Sequence, residues 1–317
     1  MDEIYRLDSD AALQEELSEC IKNRQIEQKF IYQWVWADLY YDDITKNKIY
    51  TESDLSNDCF LDFFNKNIWI NEDIDLISLG CGMSNIEKYL FENLKYPDKI
   101  SYIGVDSSKK MLDLSINNLE HIKKTKKKFI CADFSKKIFK SELSDFSNKN
   151  RLFVFFSNTF WNIKPTNIID MLGNLLHKKE RIWLDVRVRS WTSIQDDFNI
   201  SDIINENMKT EERKNTLYKI IDDLWIDRDN VELITQSKKE SFVNALKVNF
   251  SYLFKKKTEI DLKGEKIFIL PWESIQMLSI YHFDPQWLES FFHEHGFKLL
   301  DKQIKGYRWQ FLFEKEE

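Results

Sequence analysis

DLISLGCGMS, residues 75–84, is the stretch from which the fold is read. Five residues of mostly apolar, strand-forming character run into Gly80 and Gly82, two glycines one position apart in a chain with only 7 Gly and 4 Pro. The segment that follows, SNIEKYLFENLK, carries apolar residues at spacings of three and four, so the reading is strand, tight turn, helix. The same unit recurs downstream. The expected strands are DLISL (75–79), YIGV (102–105), KFICA (128–132), LFVFFS (152–157) and RIWLDV (181–186), with helical stretches such as SKKMLDLSINNLEHIKK between them. Strands alternating with crossover helices build a parallel sheet, so the fold class is α/β, an open and doubly wound sheet.

On the N-terminal side, residues 8–70 read mostly as helix, with Phe30, Ile31, Trp34, Trp36 and Leu39 at mixed spacings. On the C-terminal side the alternation stops after Arg187, and the stretch to about 277 is rich in charge, with one expected hairpin in KTEIDLKGEKIFIL turning at Lys263 and Gly264. The pattern resumes with DPQWLESFFHEHGF, a helix opened by Asp284 as N-cap and Pro285 at its first position and closed by Gly296. FKLLDKQI and RWQFLFE then form an antiparallel pair around Lys305 and Gly306. The expected organisation is a helical N-terminal extension (1–70), a main domain of 71–190 with 278–317, and an inserted second lobe (191–277).

Composition narrows the function. With 43% hydrophobic and 15% aromatic residues the chain is globular, not disordered. A balance of 46 Lys plus Arg against 53 Asp plus Glu gives −7, which argues against a chain that coats itself in nucleic acid. The lysine runs KKTKKK (123–128) and KKK (255–257) read as solvated edges. Cys20, Cys59, Cys81 and Cys131 are scattered with no CxxC pair, so neither a zinc ribbon nor a disulfide framework is expected, and the setting is a reducing cytoplasm. His293 and His295 fall on different faces of a helix, and no metal is expected. No apolar leader and no 18-residue apolar run is present, so no membrane partner is expected.

In an open parallel sheet the ligand site lies beyond the carboxyl ends of the strands, where strand order reverses. Gly80 and Gly82 allow the backbone to approach a ligand there. The spacing is not that of a pyrophosphate loop, because Asn85 stands where a third glycine would fall. Asp106, at the end of the second strand, is placed to accept both hydroxyls of a ribose, and Asp133, at the end of the third, a hydrogen bond from an adenine amino group. Each is also a natural cap for the helix that follows.

These residues resemble the class I S-adenosylmethionine-dependent methyltransferases, over 75–187 and 284–315. The resemblance implies a Rossmann-like methyltransferase sheet and S-adenosyl-L-methionine as cofactor, with S-adenosyl-L-homocysteine as product. It implies cofactor contacts from Gly80, Cys81 and Gly82 in the loop, from Asp106 and Ser107, from Asp133 and Phe134, and from Ser157. Ser78 stands where the family usually has an acidic residue, and Ser84 where a third glycine is common. The segment FFSNTFWN (155–162) lacks the [DNS]PP[YF] motif of DNA amino-methylating enzymes and is similar instead to the histidine Nα-methyltransferase group of ergothioneine biosynthesis. That likeness gives Asn162 the role of holding the substrate amine and places Tyr32 and Tyr50 in the amino-acid pocket, the three expected catalytic residues. Leu278 and Ile280 fall near positions where that group fixes an imidazole with a glutamate and a serine, with Glu273 and Ser274 as substitutes if the loop is shifted. The function expected is N-methylation of a small amino-acid-like amine other than histidine. The alternatives are an RNA or protein methyltransferase gripping its substrate with the inserted lobe, or a non-catalytic binding module.

Overall fold

The structure, a computed structural model, describes residues 4–33, 58–68, 73–147, 150–156, 159–187, 211–240, 244–262, 264–305 and 308–316. The chain divides into two units, one of Met1–Leu7, Tyr50–Ser190 and His282–Glu317, the other of Asp8–Ile49 and Trp191–Tyr281. The first unit is built on an eight-stranded sheet. Its strands are β1 (Ile4–Arg6), β2 (Ile74–Leu79), β3 (Ile100–Asp106), β4 (Lys126–Cys131), β5 (Asn150–Phe155), β6 (Arg181–Arg187), β12 (Phe297–Lys305) and β13 (Arg308–Lys315), in the order β1-β4-β3-β2-β5-β6-β13-β12. The chain steps outward from β2 to β3 and β4, then returns to lay β5 on the other side of β2. Strand order therefore reverses between β2 and β5, and their carboxyl ends frame the cleft in which such sheets bind ligands. All pairings from β1 to β6 are parallel, while β13 runs antiparallel to both β6 and β12.

The helices of this unit are α2 (Asp58–Asn67), α3 (Asn85–Asn93), α4 (Lys109–Leu119), α5 (Lys137–Phe146), α6 (Pro165–Leu175) and α8 (Pro285–Glu294). Alternate residues of the strands, Leu76, Tyr102, Val154 and Trp183, pack in one cluster with Phe60, Phe63 and Phe64 of α2 and Phe91 of α3. Trp183 is the hub, with the rings of Phe60, Phe63, Phe64 and Phe156 all within 6.1 Å of it. Aromatic rings of this size contribute most of the apolar area that a core removes from water. The helix α8 is the one its sequence announces: the Asp284 carboxylate accepts from the Trp287 N–H at 2.8 Å, Pro285 is its first residue, and Gly296 follows it with φ +80°.

Two parts of the fold depart from the sequence reading. The strand β1 lies within the N-terminal extension expected to be helical, and pairs parallel with β4 at the sheet edge. Three residues, IYR, are too short for any period to register. The region 191–277 holds far more than one hairpin: α7 (Glu211–Asp223), the antiparallel pair β7 (Val231–Glu240) and β8 (Ala245–Phe254), the hairpin β9 (Thr258–Leu262) with β10 (Glu265–Ile269), and β11 (Ser274–Phe283), which completes a sheet of order β11-β8-β7. In this second unit, α1 (Asp10–Lys22) sends Leu13, Leu17 and Ile21 into a cluster with Leu217, Ile220 and Ile221 of α7 and Val248, Phe250 and Tyr252 of β8. No described helix is long and apolar enough to cross a membrane.

Candidate functional site

The loop after β2 is built by backbone conformation before any side chain is considered. Gly80, Gly82 and Ser84 all have positive φ, at +69°, +52° and +57°, so the chain turns sharply three times within five residues. The N–H groups of Gly80 and Cys81 donate to the Val105 carbonyl at 2.8 and 3.0 Å, tying the loop to the end of β3. The two glycines serve different ends. A Cβ at Gly80 would lie 2.4 Å from the Thr159 Oγ1, so that glycine is required by close packing against the turn after β5. A Cβ at Gly82 would meet no atom within 4 Å, so that glycine borders open space. Ser84 adopts its left-handed conformation despite its Cβ, which costs about 1–2 kcal/mol in isolation. Its hydroxyl, fully enclosed, is held by Tyr102 at 2.7 Å and Ser115 at 2.5 Å.

Asp106 ends β3 and joins the two loops that flank the cleft. Its Oδ2 accepts from the Gly82 N–H at 3.0 Å and its Oδ1 from the Ser108 N–H at 2.9 Å. A carboxylate oxygen has two lone-pair directions, so both oxygens retain capacity to accept from a ligand hydroxyl. Burial pushes this carboxyl up to about 6, and the backbone N–H groups of Ser108, Gly82 and Ser107 oppose that rise. Ser107 follows in the same loop, where its carbonyl accepts from the Cys131 thiol at 3.6 Å. At the neighbouring strand end, Asp133 Oδ1 accepts from both the N–H and the hydroxyl of Ser135, at 3.0 and 2.6 Å, and so closes the turn into α5. Phe134 lies edge-on to Phe155 at 5.7 Å, and Phe155 in turn to Phe160 at 6.0 Å.

After β5 the chain makes a short 3-10 turn, Phe160–Asn162. Phe160 is fully buried among Phe155, Phe283 and Phe292, which anchors the turn. Thr159 donates its hydroxyl to the Gly80 carbonyl at 3.2 Å, so this turn is docked directly on the glycine loop, with half-buried Asn162 three residues further on. The expected residues Gly80, Cys81, Gly82, Asp106 and Ser107 thus form one hydrogen-bonded constellation. Asp133 and Phe134 stand at the adjacent strand end and Asn162 on the turn that abuts Gly80. Tyr32 belongs to the other unit, where it ends the 3-10 turn Gln28–Tyr32 and is half-buried. Tyr50 and Ser157 lie outside the described residues.

Thr159, Tyr102 and Glu87 were not expected at the site. Glu87, in the first turn of α3, is buried beneath the glycine loop and accepts from the Ser78 hydroxyl at 2.5 Å. In sequence it is one charge of an ordinary EK pair, and nothing local marks it as enclosed. The lysine run 123–128 is partly structural: Lys127 Nζ donates to the carbonyls of Leu119 and Ile122, and Lys128 Nζ to that of Phe146. In the second unit, Glu273 is engaged by Arg24 at 2.8 Å and by the Leu270 N–H, and Leu278 and Ile280 pack against the apolar cluster of that unit.

An adenosyl cofactor fits these features, with open space beside Gly82 and a buried acceptor carboxylate at the next strand end. The family model described as histidine-specific methyltransferase, SAM-dependent, matches residues 11–184, more than half of the chain. No curated protein is matched by the sequence. Among solved structures, the 1,6-didemethyltoxoflavin-N1-methyltransferase of Burkholderia thailandensis, with 1,6-didemethyltoxoflavin and S-adenosylhomocysteine bound, is 8% identical over 98% of this chain and 94% of its own, with a TM-score of 0.44. A SAM-dependent methyltransferase from Methanosarcina mazei is 13% identical over 80% of this chain and 97% of its own, with a TM-score of 0.43. A glycopeptide N-methyltransferase is 8% identical over 80% of this chain and 92% of its own, with a TM-score of 0.41.

Proposed function

Since the chain belongs to the family of histidine-specific, S-adenosylmethionine-dependent methyltransferases, we propose that it methylates the amine nitrogen of a small amino-acid-like substrate. The observation that supports this reading is the docking of the Thr159–Asn162 turn on Gly80, with Asn162, to which the resemblance gives the acceptor amine, within one turn of chain of the glycine loop.

Bound S-adenosylmethionine supplies an electrophilic methyl group, so that an N–C bond forms as the S–C bond breaks and S-adenosylhomocysteine is left. The residues of the chain have to align the acceptor and manage one proton. Alignment of nucleophile and electrophile supplies much of the acceleration in such a displacement. Asp106 would hold the ribose end and the loop from Gly80 to Gly82 the remainder of the cofactor, with Ser107, Asp133 and Phe134 as further contacts. The Asn162 amide accepts a hydrogen bond from the acceptor N–H, leaving the nitrogen lone pair directed at the methyl group. The acceptor must be neutral when it attacks, and exclusion of water from the cleft favours that form. Its proton passes to water or to a tyrosine, for which Tyr32 and Tyr50, the residues that the resemblance puts in the amino-acid pocket, are the candidates. Histidine is not proposed as the acceptor, because Leu278 and Ile280 offer no hydrogen bond to an imidazole and Glu273 is held by Arg24.

Replacing Asn162 by Ala tests the assignment. The expected result is a loss of kcat/KM for the amine on the order of tenfold, the worth of one hydrogen bond to a polar substrate group, with the affinity for S-adenosylhomocysteine unchanged. Unaltered turnover and amine affinity would remove Asn162 from the site.

A further inference from the structure

Beneath the glycine loop lies a cluster of buried polar side chains to which methyl transfer, as described above, gives no role. Ser78 at the end of β2 is wholly buried, and its hydroxyl donates to Glu87 Oε1 at 2.5 Å. The Tyr102 hydroxyl, from β3, reaches the same oxygen at 3.5 Å. Ser84 joins Tyr102 at 2.7 Å and Ser115 of α4 at 2.5 Å. When Glu87 is ionised it accepts and cannot donate, and in that form it orients the hydroxyls: Ser115 donates to Ser84, Ser84 to Tyr102 and Tyr102 to Glu87, with Ser78 donating from the strand side. Gly104 makes room for this arrangement. It follows Tyr102 by two positions on the same face of β3, and a Cβ there would lie 3.0 Å from the Tyr102 hydroxyl and 3.1 Å from the Phe129 ring.

Enclosing a carboxyl in this way is unfavourable, and burial pushes Glu87 up to about 7, against the opposing hydrogen bond from Ser78. The ionisable groups that face it are Tyr102 and Cys81, neither of which is a cation. No cation offsets the cost of burying Glu87; the buried hydroxyls of Ser78 and Tyr102 are its partners.

We propose that Glu87 is the positioning carboxylate of the cofactor loop. Through Tyr102 and Ser84 it holds the left-handed turn that closes the loop, and through Ser78 it fixes the end of β2 from which the loop departs. The helix α3 thus contributes a carboxylate next to a strand position, Ser78, that has none. The inference rests on the assignment of Gly80 to Asp106 as the cofactor site, and its test reads cofactor binding, not transfer to an acceptor.

The test is calorimetric titration of the full-length protein with S-adenosylhomocysteine, for Glu87→Ala, Glu87→Gln, Tyr102→Phe and the Glu87→Ala/Tyr102→Phe double variant. The expected result is a dissociation constant about tenfold weaker for Glu87→Ala, the worth of one well-made buried hydrogen bond. Glu87→Gln, which keeps an acceptor oxygen, should lie between Glu87→Ala and wild type. Tyr102→Phe breaks only the relay, so it should weaken binding and add less than its separate effect when combined with Glu87→Ala. Variants with a wild-type dissociation constant, or effects that simply add, would overturn the proposal, even if their thermal midpoints fall. Gly82→Val is the control for the site itself: a wild-type affinity in that variant would overturn the cofactor assignment and this inference together, whereas loss of binding there with no change in the Glu87 and Tyr102 variants would overturn the inference alone.

Discussion

Asp106 ties the glycine loop to the start of the next helix through two backbone hydrogen bonds. The N–H groups of Gly82 and Ser108 hold its oxygens in place, and the lone pairs left over are those that a pair of ribose hydroxyls would use. Its carboxyl is raised to about 6 in the folded protein, above the ordinary carboxylate value of about 3.9. A raised acid is a group that the folded state prefers protonated. In the cofactor-free protein its contribution to stability is therefore fullest below the ordinary value and is lost as pH rises through about 6. Cofactor binding needs the opposite form, because a protonated carboxyl surrenders an acceptor. Affinity for S-adenosylhomocysteine should thus fall about fourfold between pH 7.5 and pH 5.5, in proportion to the ionised fraction of a group titrating near 6, and the fall should persist in Glu87→Gln. Calorimetry at the two pH values checks this, and a flat profile would mean that Asp106 serves only the two backbone amides.

Between elements, the decisive contact is that of Gly80 with Thr159, which joins the turn after β2 to the turn after β5. A Gly80→Ala substitution adds a Cβ 2.4 Å from the Thr159 Oγ1 at a position with φ +69°, so two penalties act together. The expected loss of stability is roughly 2–3 kcal/mol, from left-handed strain of about 1–2 kcal/mol and overpacking. Adding Thr159→Gly should return only the packing part. Thermal unfolding of the two variants separates the terms, and a Gly80→Ala protein as stable as wild type would show that the turns are not pressed together. The strands that meet at these turns were legible because each is an apolar run bounded by turn residues, and α8 because Asp284, Pro285 and Gly296 mark its ends. The strand β7 was not, since the second half of VELITQSKKE is polar and largely exposed on both faces, which mimics a loop. The strand β8, ALKVNFSYLF, does alternate from Leu246 to Phe250, and its period could have been found. Glycines and strand-end carboxylates show in local spacing, so the turn at Gly80 and Gly82 and the strand end at Asp106, which the structure joins, could be read directly. Glu87 could not, because its partners are Ser78 of β2 and Tyr102 of β3, the latter given room by Gly104, and no local spacing in α3 signals either.

For the molecule as a whole, the sheet of the first unit supplies a strand-order reversal with a glycine loop and Asp106 at its mouth, and the family model spans both that loop and the Asn162 turn. The net charge of −7 does not favour a polyanion, and Lys127 and Lys128 of the run 123–128 are tied to backbone carbonyls, while Lys123, Lys124 and Lys126 stay exposed. A small amine remains the acceptor that these features favour. The most direct test is to incubate the protein with methyl-labelled S-adenosylmethionine and a cell extract, then to follow the label by mass spectrometry. The label should enter a small amino-acid-like compound on nitrogen, and Asn162→Ala should slow its entry; label confined to RNA or protein would contradict the account.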